Sequence, residues 1–334
     1  MHLDLLAAWA FERGHPFLTS DAVAEGYSRR ALGSAVKQRV LKDLGRGVLV
    51  SQERWAAADA RGRHRFEVAA ALLRKTSRWV AGHRSSAIVH DLPLLGKAPP
   101  AVPQLLRSDD GVRTKSKNRH ERVVPLDVVE RDEVDGIATC GLARTVVDIS
   151  REEELRSGLI VADGALRRGM SKSELIALAN KYSWRTGGLN AVRVAQVANG
   201  LHETPLESLS WAAAVTGGFP MPEPQIRVYL GSRLLARVDG LWRHVNVIGQ
   251  ADGLFKYKDR QGVIADKKQD EVLEDVGFEV CRWGWDEAYR PERELYDRWR
   301  RAFARGARQT IDPRVRLVAT TLEQSLAWTG LIAS

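Results

Sequence analysis

Apolar residues recur at helical spacing over the first forty-odd positions and at strand spacing just after them, and that order predicts the elements. Leu3, Leu5, Leu6, Trp9 and Ala10 mark a first helix, which Gly14 and Pro16 end. Thr19 or Ser20 is placed to cap a short second helix, with Asp21 in its first turn. Gly26 supplies the turn to a third helix capped by Ser28, in which Leu32 and Val36 face inward. Arg29, Arg30, Gly33, Ser34 and Lys37 are left on its outer face. Two short apolar strands then flank Gly45-Arg46-Gly47.

Three helices followed by a hairpin make the layout of a winged helix-turn-helix. Its third helix offers N-terminal side chains to the major groove. The same pattern also serves as a packing module that binds no DNA. From Trp55 to Leu201 helix and strand patterns alternate. Residues 64–76 read as an amphipathic helix, and 79–94 as a strand entering a helix capped by Ser85. A basic loop within 109–124 reads as joining the two strands of a hairpin, and 135–151 as a strand running into a helix. The stretch around 200–205 reads as a boundary. Domains are therefore expected at 1–55, 56–201 and 202–310, with a tail over 311–334. The fold class expected is a mixed α/β multidomain chain: winged helix, α/β middle domain, and a C-terminal α/β domain.

The C-terminal expectation rests on residues 236–260 and 266–287, which read as two short strands, a helix and a third strand. Asp239 starts the first run, Val245, Val247 and Ile248 make a buried strand, and Asp252-Gly253 closes it. Carboxylates on adjacent strand ends are what a hard cation needs, and such a cation can polarise a phosphate and activate water. Gly277 is placed to cap the helix, and Trp283 and Trp285 alternate on the third strand, where core packing is the commoner role.

Charge sharpens the picture. The chain carries a formal net charge of +9. Between Tyr27 and Val50 the bases Arg29, Arg30, Lys37, Arg39, Lys42 and Arg46 face the single acid Asp43, and further excesses run over 107–122 and 290–316. Clustered cations are the footprint of a polyanion partner. Two distant cysteines exclude a disulfide or zinc framework and suit a reducing, cytoplasmic setting. No apolar run spans a bilayer, and the N-terminal residues lack a secretory signal pattern, so no membrane partner is expected.

The run 236–260 resembles the PD-(D/E)XK nucleases, particularly their very-short-patch-repair-like branch. That branch carries D…E-x-D-G-x-x-(H/K), and this chain has Asp239…Gln250-Ala251-Asp252-Gly253…Lys256. The resemblance implies a restriction-endonuclease-like α/β fold for the C-terminal domain and a catalytic set of Glu207, Asp239, Gln250, Asp252 and Lys256, with Glu207, Asp239 and Asp252 as magnesium ligands. Gln250 stands where a carboxylate is expected, and Gln269 where related sequences often have arginine.

Further upstream, TSDAVAEGYSRRALGSAVKQ, HRSSAIVHDLP, TCGLARTVVDISR and ADGALRRGMSKSELIALA are similar to the AbiEi family of antitoxins. The likeness runs to about residue 306 and is one of order and pattern. It implies a DNA-binding transcriptional regulator, with Arg29, Arg30, Ser34 and Lys37 on bases and Arg46 on phosphate or the minor groove. Double-stranded DNA and a cognate toxin would be its partners, and no cofactor would be required. The rival reading is a magnesium-dependent DNA endonuclease targeted by its winged helix.

Overall fold

The computed structural model describes residues 3–75, 78–96, 98–108, 120–124, 127, 130–252, 260–291 and 293–329, the side chains of 260–266 excepted. They form two compact units, Met1–Glu152 and Glu153–Ser334. The sequence pattern places boundaries after residues 55, 201 and 310 instead. Both units mix helix with sheet. Among the described residues no helix is long and apolar enough to cross a membrane.

The first unit opens with α1 (Leu3–Arg13), β1 (Phe17–Leu18), α2 (Thr19–Ala24), α3 (Arg29–Lys37), β2 (Leu41–Asp43) and β3 (Val48–Ser51). The strands pair in the order β1-β3-β2. Leu6, Ala10, Phe17, Ala22, Leu32, Ala35, Leu41 and Leu49 are buried together between helices and sheet. Ser28 caps α3 as expected, its Oγ accepting from Ala31 N–H. The cap of α2 differs. The helix starts at Thr19 itself, and Asp21 Oδ2 accepts the Leu18 N–H at 3.1 Å. Thr19 Oγ1 donates instead to Gly47 O across the sheet, which ties α2 to the β2–β3 turn.

The rest of the unit comprises α4 (Gln52–Ala57), α5 (Ala60–Leu73), β4 (Trp79–Ala81), α6 (His83–Val89), β5 (Leu105–Ser108), β6 (Glu121–Val124), β7 (Arg131–Val134), β8 (Ile137–Cys140) and α7 (Leu142–Glu152). The strand order is β6-β5-β4-β8-β7. Two expectations are corrected here. Strands β5 and β6 run parallel, Leu105 opposite Glu121 and Ser108 opposite Val124, so they are no hairpin; most of the connection between them lies outside the described residues. Ser85 lies inside α6 rather than capping it, because its buried hydroxyl is held by His64 Nε2 at 2.8 Å and by Gln104 N–H.

The second unit begins with α8 (Leu155–Arg167), α9 (Lys172–Lys181), α10 (Gly188–Val197) and α11 (Pro205–Thr216). Then come β9 (Glu223–Leu230), β10 (Arg233–Trp242), β11 (Val247–Asp252), α12 (Arg260–Asp275), β12 (Glu279–Gly284), α13 (Trp285–Tyr289), α14 (Arg293–Gly306), β13 (Val315–Ala319) and α15 (Leu322–Trp328). The sheet order is β12-β11-β10-β9-β13, with β11 and β12 parallel and α12 crossing between them. Val245, expected in a strand, lies in a 3-10 turn, because Asn246 takes a left-handed φ of 54° and restarts the chain as β11. Trp285 opens α13 rather than continuing β12.

Side chains alternate across β11, which sets what each face can hold. Ile248 packs with Leu273 of α12 and with Val276 just after it. Gly249 faces the other way, where a Cβ would come within 2.6 Å of Trp283 and 3.0 Å of Trp242. Those two rings pack edgewise or tilted on Trp299 of α14, so the core reading of Trp283 holds. Each unit also buries one free thiol, Cys140 in the first and Cys281 in the second. Burial pushes both thiols up, Cys281 to about 11.

A carboxylate at full burial organises the approach to α11. Asp163 Oδ1 accepts from the N–H groups of Asn199 and Gly200 at 2.9 and 3.1 Å. Its Oδ2 meets His202 Nδ1 and Ser208 Oγ, each at 2.7 Å. Asn199 Oδ1 accepts from Leu201 N–H, so its Nδ2 faces His202 Nε2 and fixes that nitrogen as the acceptor. Ser, His and Asp meet here without the arrangement of a nucleophile, since Ser208 donates to the carboxylate and not to the imidazole.

Burial alone would raise the Asp163 pKa, but His202, Ser208 and the Asn199 N–H outweigh it and hold the carboxyl below its ordinary value. Asp163→Asn is expected to lower stability by about 1.5–3 kcal/mol near neutral pH through weakened hydrogen bonds to a charged acceptor, measured by urea unfolding. A depressed carboxylate stabilises above its unfolded pKa and loses that contribution as the pH falls through the folded one. The gap between wild type and variant should therefore close below about pH 4. A gap that is absent at neutral pH, or unchanged in acid, would contradict this account.

Candidate functional site

The cationic surface of the first unit comes from α3 and the β2–β3 turn. Leu32 and Ala35 bury one side of α3, and the opposite side exposes Arg29, Arg30, Gly33 and Lys37. Ser34 is half-buried; its Oγ accepts from Gln38 Nε2 at 3.0 Å, which leaves its own proton free to donate. In the turn, Asp43 Oδ1 accepts the Gly45 N–H at 2.7 Å. Gly45, Arg46 and Gly47 all take left-handed φ values of 85°, 51° and 76°. Two glycines there let the chain reverse so tightly. Arg46, the one side chain among them, projects into solvent.

Among the described residues, Arg29, Arg30, Lys37, Arg39 and Arg46 make no ion pair. The C-terminal excess is different. Arg298 pairs with Glu287, Arg300 with Asp297, Arg305 with Glu279 and Arg314 with Asp312, at 2.5–2.7 Å. Much of that positive charge is answered within its own unit. The excess at 107–122 lies mostly outside the described residues.

Helix α3 also carries no acid in its first turn. Two arginines at the positive end of a helix dipole are unfavourable, each by about 0.3–1 kcal/mol. Nothing in the packing requires them there. An anion placed over this turn would reverse the sign of that interaction.

The carboxylates named as metal ligands lie in the second unit, each with partners of its own. Glu207, in the first turn of α11, is buried. It accepts from Glu203 N–H, Thr204 Oγ1 and Gln225 Nε2 at 3.1, 2.8 and 2.8 Å. Asp239 sits where the β10–β11 ladder stops, one residue before the Gly240–Gly249 pair. Its Oδ2 accepts the Ala251 N–H at 2.8 Å, so it does lie against β11. Gln250 and Asp252 are both buried and share the α12 face of β11 with Ile248. Lys256 lies outside the described residues.

Asp252 is engaged by a residue that the sequence reading did not assign to this site. Arg282 of β12 stands beside Gln250 in the parallel register. Its Nη1 donates to Asp252 Oδ1, and its Nε and Nη2 donate to Asp270 of α12, all at 2.7 Å. Burial opposes the charge on Arg282, but Asp270 and Asp252 hold its pKa above the ordinary value. No sequence signal links residues 252, 270 and 282, because only the crossover through α12 brings them together.

These donors do not fit a divalent ion. Among the described residues no three His, Cys, Asp or Glu side chains are grouped to hold a metal. Glu207 is held by three uncharged donors, Asp252 faces a guanidinium, and Gln250 brings no charge. The chain matches no known protein family and no curated protein.

With magnesium or manganese, the wild-type protein is expected to leave supercoiled plasmid intact over hours. Nicking that disappears in Asp239→Ala would establish a metal centre at this sheet end.

Proposed function

We propose that this protein is a DNA-binding regulator of the AbiEi type, in which residues 3–51 act as a winged helix. Helix α3 would lie in the major groove, with Arg29, Arg30, Ser34 and Lys37 towards bases and nearby phosphates. Arg46, at the tip of the hairpin, would meet phosphate or the minor groove. A cognate toxin as protein partner belongs to the same proposal and is supported by the resemblance alone.

The observation that carries the reading is the exposed cation set on α3, without an ion pair among the described residues, with two arginines placed against the helix dipole. Packing and local helix preference leave it unexplained, whereas a phosphate backbone supplies the missing charge. In this reading the second unit keeps the strand and helix order of a nuclease domain without its chemistry. The support is the carboxylate set, which is satisfied by protein donors and by Arg282.

Replacing Arg29, Arg30 and Lys37 together by alanine should weaken binding to a duplex from the gene's own upstream region. Each lost phosphate contact should flatten the log–log salt dependence by about 0.9. Titration of labelled duplex at several salt concentrations measures both. Thermal stability should not fall, because alanine suits an exposed helix and the dipole conflict is removed. An unchanged salt slope in the folded variant would sink the proposed interface.

A further inference from the structure

We propose that Arg282 is the resident cation at the β11–β12 sheet end, occupying the acidic oxygens that a divalent ion would need. The inference rests on reading the second unit as a nuclease-like domain without a metal centre, and extends it by naming what replaced the metal.

The geometry is that of a counter-ion site. Three N–H groups of one guanidinium reach two carboxylates, one on β11 and one on α12, all at 2.7 Å. Asp252 is buried and Asp270 half-buried, with side-chain exposures of 8% and 21%. Two like charges gathered around one point favour a cation between them. Arg282 supplies one that does not deprotonate and needs no loading from solution.

Gln250 fits the same scheme. It is the residue of β11 directly beside Arg282 in the register, on the face that also carries Asp252. A carboxylate at 250 would add a third charge to a cluster balanced by one arginine. A neutral amide leaves the balance as it stands. The glutamine and the arginine are two halves of one substitution, in which a soluble divalent ion gives way to a covalently attached monovalent one.

The test measures ion binding rather than DNA cleavage or DNA binding, so this inference and the reading beneath it can fail separately. The full chain is titrated with Mn2+, free ion is followed by electron paramagnetic resonance, and thermal melts are run in parallel. Wild type should bind no Mn2+ that Asp252→Asn removes, and its Tm should not move. Arg282→Met should melt lower, gain about one Mn2+ equivalent and recover several degrees when the ion is added. That gain should vanish in Arg282→Met/Asp252→Asn.

A wild-type equivalent lost in Asp252→Asn would overturn the proposal, as would a folded Arg282→Met that takes up no more Mn2+ than wild type. Should Arg282→Met not fold, Arg282→Gln keeps a neutral hydrogen-bonding side chain beside Asp252 and Asp270; the same gain is expected of it, and its absence is equally decisive. If neither folds in metal-free buffer, recovery on refolding with Mn2+ supports the proposal and failure to recover overturns it.

Discussion

A carboxylate withdrawn from water must be met by a cation or by enough N–H and O–H donors, and its protein partners then decide what else it can bind. In the second unit this constraint is answered from within. Glu207 takes three donors, Asp163 four, and Asp252 a guanidinium shared with Asp270. Each answer fixes an element: Glu207 the start of α11, Asp163 the chain entering it, and Arg282 the junction of β11, α12 and β12. Groups that would otherwise be chemistry become architecture.

The first unit shows the reverse. On α3 the cations are exposed and, among the described residues, unanswered, and two of them sit where the helix itself disfavours positive charge. A folded protein tolerates such a local conflict when something outside it removes the cost. The paired arginines of α14 make the contrast plain, since they follow from a similar composition and point to no partner.

What could be read from the chain was what depends on near neighbours. The Ser28 cap, the apolar side of α3 and the glycine turn around Arg46 all follow from residues a few positions apart, and they stand as expected. Errors arose where a distant residue competed. Thr19 could not cap α2 because its hydroxyl bonds to Gly47, and Ser85 could not cap α6 because His64 and Gln104 claim it. Strands β5 and β6 run parallel although they follow each other along the chain, a choice that no local pattern records. For the carboxylate set, motif spacing singled out Asp239 and Asp252 but could not find Arg282, which reaches Asp252 only through a parallel register.

The two buried thiols give the molecule a chemical clock for its own opening. Cys140 and Cys281 are the chain's two cysteines, one in each unit, and burial keeps both protonated and out of reach of alkylating reagents. Each becomes reactive when the structure around it opens, so peptide-resolved alkylation counts the openings around Cys140 and Cys281 separately, without any engineered label. In one tube, the protein can report whether a ligand that steadies the α3 surface also steadies the sheet that holds Arg282.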